Sequence, residues 1–220
     1  VVAQVEADLA ERAVERRGPI ARVVPEEPAN VVRPEIRVEM QVSRARVMMG
    51  FKDNLEKSSD SRKFHQRLIA ADLALTAALG KITPDYWKLY EKGIITESFR
   101  FGYSAYRGIG YVWVSSESED ADALVREVTQ ILEKSVHDGL NAELFEVARR
   151  QRIGGFLAVL DDQEQMAGSF ITHRFNGLDL MDTPELLTEV TLEDGQLFLE
   201  ELIRDDNRVV SIVEPLKGGR

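Results

Sequence analysis

The sequence predicts an α+β domain, a mostly antiparallel sheet with helices packed on one face. Three observations predict it. Residues 99–106 and 110–118 alternate apolar and polar positions on either side of Arg107-Gly108, which is hairpin patterning and therefore antiparallel pairing. Residues 36–42 and 45–52 alternate in the same way. The segments between the strands carry apolar residues at helical spacing and come in groups, so the helices cover one face of the sheet rather than alternating with single parallel strands.

Taken in order, Val2, Val5 and Leu9 form a helical stripe among charged residues that run to Arg17, where Gly18-Pro19 stops the helix. Three prolines between Arg22 and Glu35 then mark extended linker, because proline removes backbone donors. Residues 1–34 are accordingly assigned to a helix and Pro-rich linker from a preceding half, and residues 35–220 to the compact α+β domain. Within that domain Ile36, Val38, Met40 and Val42 share one strand face, and Val47, Met49 and Phe51 share another. From Ser59 to Leu79 the period becomes helical, with Phe64, Leu68, Ala71, Leu75 and Leu79 in one stripe and Gly80 at the stop. Pro84 suits the first turn of a short helix that ends near Lys92, ahead of the aromatic hairpin.

Ser118 or Asp120 caps the next helix, whose stripe is Leu124, Val128, Ile131 and Leu132 and whose end is His137-Asp138-Gly139. One long helical stretch follows from about Ala142 to Phe175, with Gly154-Gly155 as a kink and Asp161-Asp162 as an interruption. Asn176-Gly177 ends it. Helices over 184–189 and 192–204 follow, the second opened by a capping-box pair of Thr191 and Asp194, and "RVVSIV" closes the domain as a last strand.

Composition narrows the function. The chain has 220 residues, 44% hydrophobic and 30% charged, with a net charge of −10. That acidity argues against nucleic acid as a partner, which requires a basic face. No apolar run reaches the roughly 18 residues of a membrane span. The sequence holds no cysteine, so it has neither disulfides nor thiolate metal sites, and a reducing cytoplasmic setting is expected. The chain opens on Val1 without a targeting segment, which reads as a piece of a longer protein.

Chemical motifs are scarce. His65, His137 and His173 are far apart in sequence and read as surface or helix-end residues. No H-x-x-E-H or H-E-x-x-H is present, so no helix carries a paired-imidazole zinc motif. No nucleophile elbow and no P-loop appear, and "SSESEDAD" reads as an acidic turn and helix cap rather than a calcium loop. No catalytic and no metal-ligating residue is assigned.

Several stretches nevertheless resemble a known family: "VSRARVMMGFKDN", the 59–79 helix, "LYEKGIITESFRFGYSA", "GLNAELFEVARRQRIGGFL" and "RFNGLDLMDTPELLTEVTLED". Together they cover most of residues 36–215 and resemble the C-terminal half of an insulinase/pitrilysin-family zinc peptidase of the inverzincin class, in the bacterial branch related to mitochondrial processing peptidase. The resemblance implies two similar α+β halves closing as a clamshell around a peptide, with zinc held by H-x-x-E-H and a later Glu in the other half or in a partner subunit. It implies as partners an N-terminal half of the same protein, a related subunit in a homo- or hetero-oligomer, and a peptide substrate.

In that family the second half often supplies an arginine and a tyrosine in the pattern L-R-E-x-G-L-x-Y, donors that hold the substrate backbone and stabilise an oxyanion. Here Tyr90 stands at the arginine position and Thr96 at the tyrosine position, so these two are the candidate substrate-binding residues and the usual donors are absent. The implied role is a half that lines the chamber without binding zinc. The alternative is an inactive homologue that binds peptides or serves as a structural subunit.

Overall fold

The structure is a computed structural model and describes residues 2–12, 28, 30–55, 60–106 and 109–216. Strands β1 (Glu35–Met40), β2 (Ala45–Asp53), β3 (Arg100–Tyr106), β4 (Ile109–Ser118) and β5 (Arg208–Pro215) form one sheet in the order β1-β5-β2-β4-β3. Three of the four pairings are antiparallel, and β1 with β5 is parallel. Around the sheet lie α2 (Ser61–Leu79), α3 (Pro84–Glu91), α4 (Ala121–Asp138), α5 (Ala142–Asp161), α6 (Gln163–Phe175), α7 (Thr183–Glu189) and α8 (Leu192–Leu202), while α1 (Val2–Glu11) precedes it. This is the expected mostly antiparallel α+β layer.

The strand period decides which face is covered. In β2 every second residue is buried (Ala45, Val47, Met49, Phe51), and Val112 and Val114 of β4 and Val210 and Ile212 of β5 continue that face. Leu75 and Leu79 of α2, Leu124 and Leu132 of α4, and Phe198 and Leu202 of α8 complete the core. The turn of α2 away from this core is buried too, with Ile69, Leu73 and Ala77 packed on Phe145 of α5 and Leu186 and Leu187 of α7. So α2 is wedged between two cores rather than carrying one stripe. Its alanines permit that, because a narrow helix lets neighbours approach from both sides.

Several signals land where expected. Thr83 and Asp120 cap α3 and α4, Thr191 and Asp194 form a reciprocal capping box, and Gly177 takes φ +72 after the Asn176 cap. Other expectations are corrected. The 142–175 stretch is two helices, broken where Asp162 leaves helical geometry and accepts from the Glu164 and Gln165 N–H groups as the N-cap of α6, whereas Gly154-Gly155 lies inside the continuous α5. Ile36, Val38 and Met40 share a strand face as expected, and all three are exposed, because β1 is an edge strand that no described helix covers. The first helix ends at Glu11 with Arg12 in a turn, and the expected 13–17 extension and most of the Pro-rich linker lie outside the described residues. The end of the linker is fixed on the body: Pro34 C=O accepts from Val210 N–H at 2.8 Å, and Val31 N–H donates to Asp206 C=O at 3.2 Å.

Candidate functional site

The hinge between α3 and β3 is where the candidate residues Tyr90 and Thr96 sit. It forms because α3 runs out at Lys92 and Gly93 takes φ +68, a conformation that a side chain resists. Gly93 N–H then donates to Tyr90 C=O and Ile94 N–H to Leu89 C=O, both at 3.0 Å, closing the helix end. Ile95 and Phe99 anchor the following loop in the core. Ser118 of β4 donates its hydroxyl to Ile94 C=O at 2.7 Å, and Ser98 Oγ accepts from Glu117 N–H at 2.9 Å. The hinge is thus stitched along β4.

The two candidates are engaged with different neighbours. Tyr90 is 38% exposed and stacks on buried Tyr86, with centroids 6.3 Å apart, beside the edge of exposed Trp87. Thr96 Oγ1 shares a 2.7 Å hydrogen bond with Ser98 Oγ and accepts from Ser98 N–H at 3.2 Å, so its hydroxyl shapes the turn. Arg100 and Tyr103 lie close in sequence, and both side chains are engaged locally. The Arg100 guanidinium donates to the carbonyls of Glu97 and Phe99 at 2.7 and 2.8 Å. Tyr103 donates to Asp53 Oδ2 at 2.5 Å.

Asp53 is the centre of a cluster that local sequence did not reveal. It is 7% exposed at the end of β2, and it also accepts from Arg67 Nε and Nη2 at 3.2 and 3.0 Å. Arg67 of α2 continues to Glu201 of α8 at 2.7 Å and lies over the Phe198 ring at 5.2 Å. Burial pushes the Tyr103 phenol above its usual range, and the hydrogen bond and charge of Asp53 push it further. For Arg67 burial works to lower the pKa, but the bond to Glu201 and the charge of Asp53 outweigh it and hold the guanidinium charged. The cluster ties α2, α8, β2 and β3 together. Gly110 makes room for it: a Cβ there would lie 2.8 Å from the Tyr103 hydroxyl and 3.0 Å from Asp53 Cβ.

The other face of the sheet is partly exposed. Val209, Gly50, Trp113 and Gly102 form one row across β5, β2, β4 and β3. The Trp113 ring lies over Gly102, where an added Cβ would be 3.0 Å from the ring, and Val209 leans over Gly50 at 3.1 Å from an added Cβ. Met48 and Tyr111 are exposed on the same face. This row offers apolar and aromatic contact area with few hydrogen-bonding side chains.

The histidines require a correction. His65 is buried, not a surface residue, and its ring meets that of His173 of α6 edge-on, with centroids 5.3 Å apart. His173 Nδ1 is 2.7 Å from Ser169 C=O and donates to it, whereas His65 Nδ1 has no partner. Burial, then the charges of His173 and Arg152, lower the His65 pKa to about 4. His137 lies in the last turn of α4, as expected. Among the described residues no group of three or more His, Asp or Glu side chains is placed to hold a metal ion, so the implied zinc has no seat among them.

Comparison with known proteins gives these features a context. No family model matches the sequence. The chain is 30% identical over 216 residues to YmfH, an uncharacterized zinc protease of Bacillus subtilis strain 168, and covers 98% of itself and 50% of that protein. An M16-like peptidase of Alicyclobacillus acidocaldarius has the same fold, with TM-score 0.90 at 24% identity, across 98% of this chain and 51% of that one. The inactive domain of an M16 peptidase from Pseudomonas fluorescens also matches, with TM-score 0.74 at 16% identity over 100% of this chain and 52% of its own. The chain therefore spans about half the length of these three relatives. The fold and the similarity to YmfH agree with the resemblance read from the sequence: the chain is similar to a C-terminal half of an insulinase/pitrilysin-type, M16-like peptidase.

Proposed function

We propose that this chain is the non-zinc-binding half of a zinc metallopeptidase, forming one wall of a clamshell chamber for peptide substrates and carrying subunit contacts. The observation that carries the reading is the pairing of a peptidase-half fold with a hinge whose substrate donors are replaced by Tyr90 and Thr96. The row of Val209, Gly50, Trp113 and Gly102 supports a wall role, since an apolar and aromatic strip across the strands gives an extended peptide contact area without reading its sequence. Zinc, held in the other half or in a partner subunit, polarises the scissile carbonyl and activates water when bound. This chain positions substrate, with Tyr90 offering an aromatic face and Thr96 shaping the loop. In this reading residues 1–34 are the helix and linker from the preceding half and residues 35–220 are the second half, and the protein works in the cytoplasm as an oligomer with a related subunit.

The test is peptide cleavage by the full-length protein, alone and mixed with any related subunit encoded beside it. Cleavage that stops on chelation supports the reading. The loss of both family donors also favours a second reading, a catalytically inactive homologue that binds peptides or builds an assembly. Binding of unfolded peptide without cleavage under any of those conditions selects it.

A further inference from the structure

The face of α5 and α6 that points away from the core carries exposed apolar residues and helical glycines that no described part of this chain covers. None of the residues of α6 is buried. Helical spacing puts His173, which meets α2 through His65, on one side of α6, and Gly168, Ile171 and Phe175 on the opposite side. Ile171 is 51% exposed and Phe175 is 81% exposed. In α5 the same spacing sets Gly154 opposite buried Phe156 and turns Leu157 away from the side of Phe145, Ala148 and Phe156, and Leu157 is 56% exposed. An isolated exposed apolar residue is ordinary, but a set aligned along the outer sides of two adjoining helices is not.

The glycines carry the argument further. A glycine inside a helix weakens it relative to alanine, so it requires a reason. Gly195 of α8 has one, because a Cβ there would lie 2.6 Å from Phe145 Cε2. At Gly154, Gly155 and Gly168 nothing comes within 4 Å of an added Cβ. Nothing described in this chain needs those positions small.

We propose that this face docks a helix of the other half of the full-length protein, which approaches closely over Gly154 and Gly168 and covers Leu157, Ile171 and Phe175. The occupant is argued from length. The chain accounts for only 50% of YmfH and 51% of the Alicyclobacillus acidocaldarius peptidase, leaving a comparable length of polypeptide in each of those relatives to cover this face. The inference rests on the two-half reading above.

Hydroxyl-radical footprinting of the full-length protein against the isolated 220-residue chain tests it, with Gly168→Leu as the probe variant. We expect oxidation of Ile171 and Phe175 to fall about tenfold in the full-length protein. Gly168→Leu restores it there and leaves the circular dichroism of the isolated chain unchanged. Equal oxidation in both forms overturns the proposal. Cutting the linker and weighing the product by native mass spectrometry then separates two failures. If the halves stay together, only this surface is wrong; if they part, the closed two-half body fails with it. A mass of two copies for the isolated chain, with Phe175 protected in that dimer, also overturns it by naming a second copy as the occupant.

Discussion

Tyr103 donates its phenolic hydrogen to Asp53 Oδ2, the same oxygen that receives Arg67, so one carboxylate joins the hairpin to the central helix. Two consequences can be measured. Tyr103→Phe removes one neutral donor to a charged acceptor that keeps Arg67, and is expected to cost about 1.5 kcal/mol in urea denaturation. Asp53→Ala leaves the partly buried Arg67 guanidinium with Glu201 alone and Tyr103 without its acceptor, and is expected to cost about 2–3 kcal/mol. The double variant should be less destabilised than the sum of the two, because both changes remove the same bond.

The glycines predict opposite signs for one chemical change. Gly195→Ala and Gly110→Ala each push a methyl into a filled space, Phe145 in the first case and the Tyr103–Asp53 pair in the second, and are expected to destabilise by about 1–3 kcal/mol. Gly154→Ala meets open space in a helix and is expected to stabilise the isolated chain by up to about 1 kcal/mol. Thermal denaturation of the three variants checks the contrast.

His65 makes stability depend on pH in a stated direction. Its folded pKa, about 4, lies below the ordinary 6.5, so the unfolded chain binds the proton more readily. Its contribution is therefore intact above about pH 6.5 and declines as pH falls from there toward 4. The groups that face it are His173 from α6 and Arg152 from α5, both opposing protonation, with Asp72 paired to Arg152 at 3.2 Å. His65→Gln should flatten the decline and narrow the difference between pH 7.5 and pH 5 by at most about 2 kcal/mol. Melting curves of the two proteins across that range decide it.

At the hinge, Tyr90 and Thr96 should separate binding from stability. Tyr90 is partly exposed, so Tyr90→Ala in the full-length protein is expected to raise KM several-fold with little change in melting temperature. Thr96→Ala loses the two bonds to Ser98 and should cost about 1 kcal/mol. An unchanged KM in Tyr90→Ala removes Tyr90 from the substrate path.

Much of the fold was legible because its determinants are local. The alternation of Val47, Met49 and Phe51, the Thr191–Asp194 cap and the Asn176-Gly177 stop are each written within a few residues. The features missed are non-local. His65 meets His173, Asp53 meets Arg67 and Tyr103, and β1 pairs in parallel with the last strand, contacts that no window of periodicity contains. The Asp162 break was legible as an Asp-Asp pair, but its depth was not, because only the cap geometry shows two helices instead of a kinked one. At the hinge, the resemblance pointed to Tyr90 and Thr96, and the structure added that Arg100 and Tyr103 are engaged with Glu97, Phe99 and Asp53.

The most direct test of the central claim is zinc content and peptide cleavage measured side by side on the isolated chain and the full-length protein. The isolated chain should hold no stoichiometric zinc and show no turnover, while the full-length protein, with its partner subunit if it has one, should bind zinc and cleave in a chelator-sensitive way. Chelator-sensitive turnover by the isolated chain, or a full-length protein that binds no zinc and cleaves nothing with any partner, would contradict the assignment of this chain as the supporting half of a working zinc peptidase.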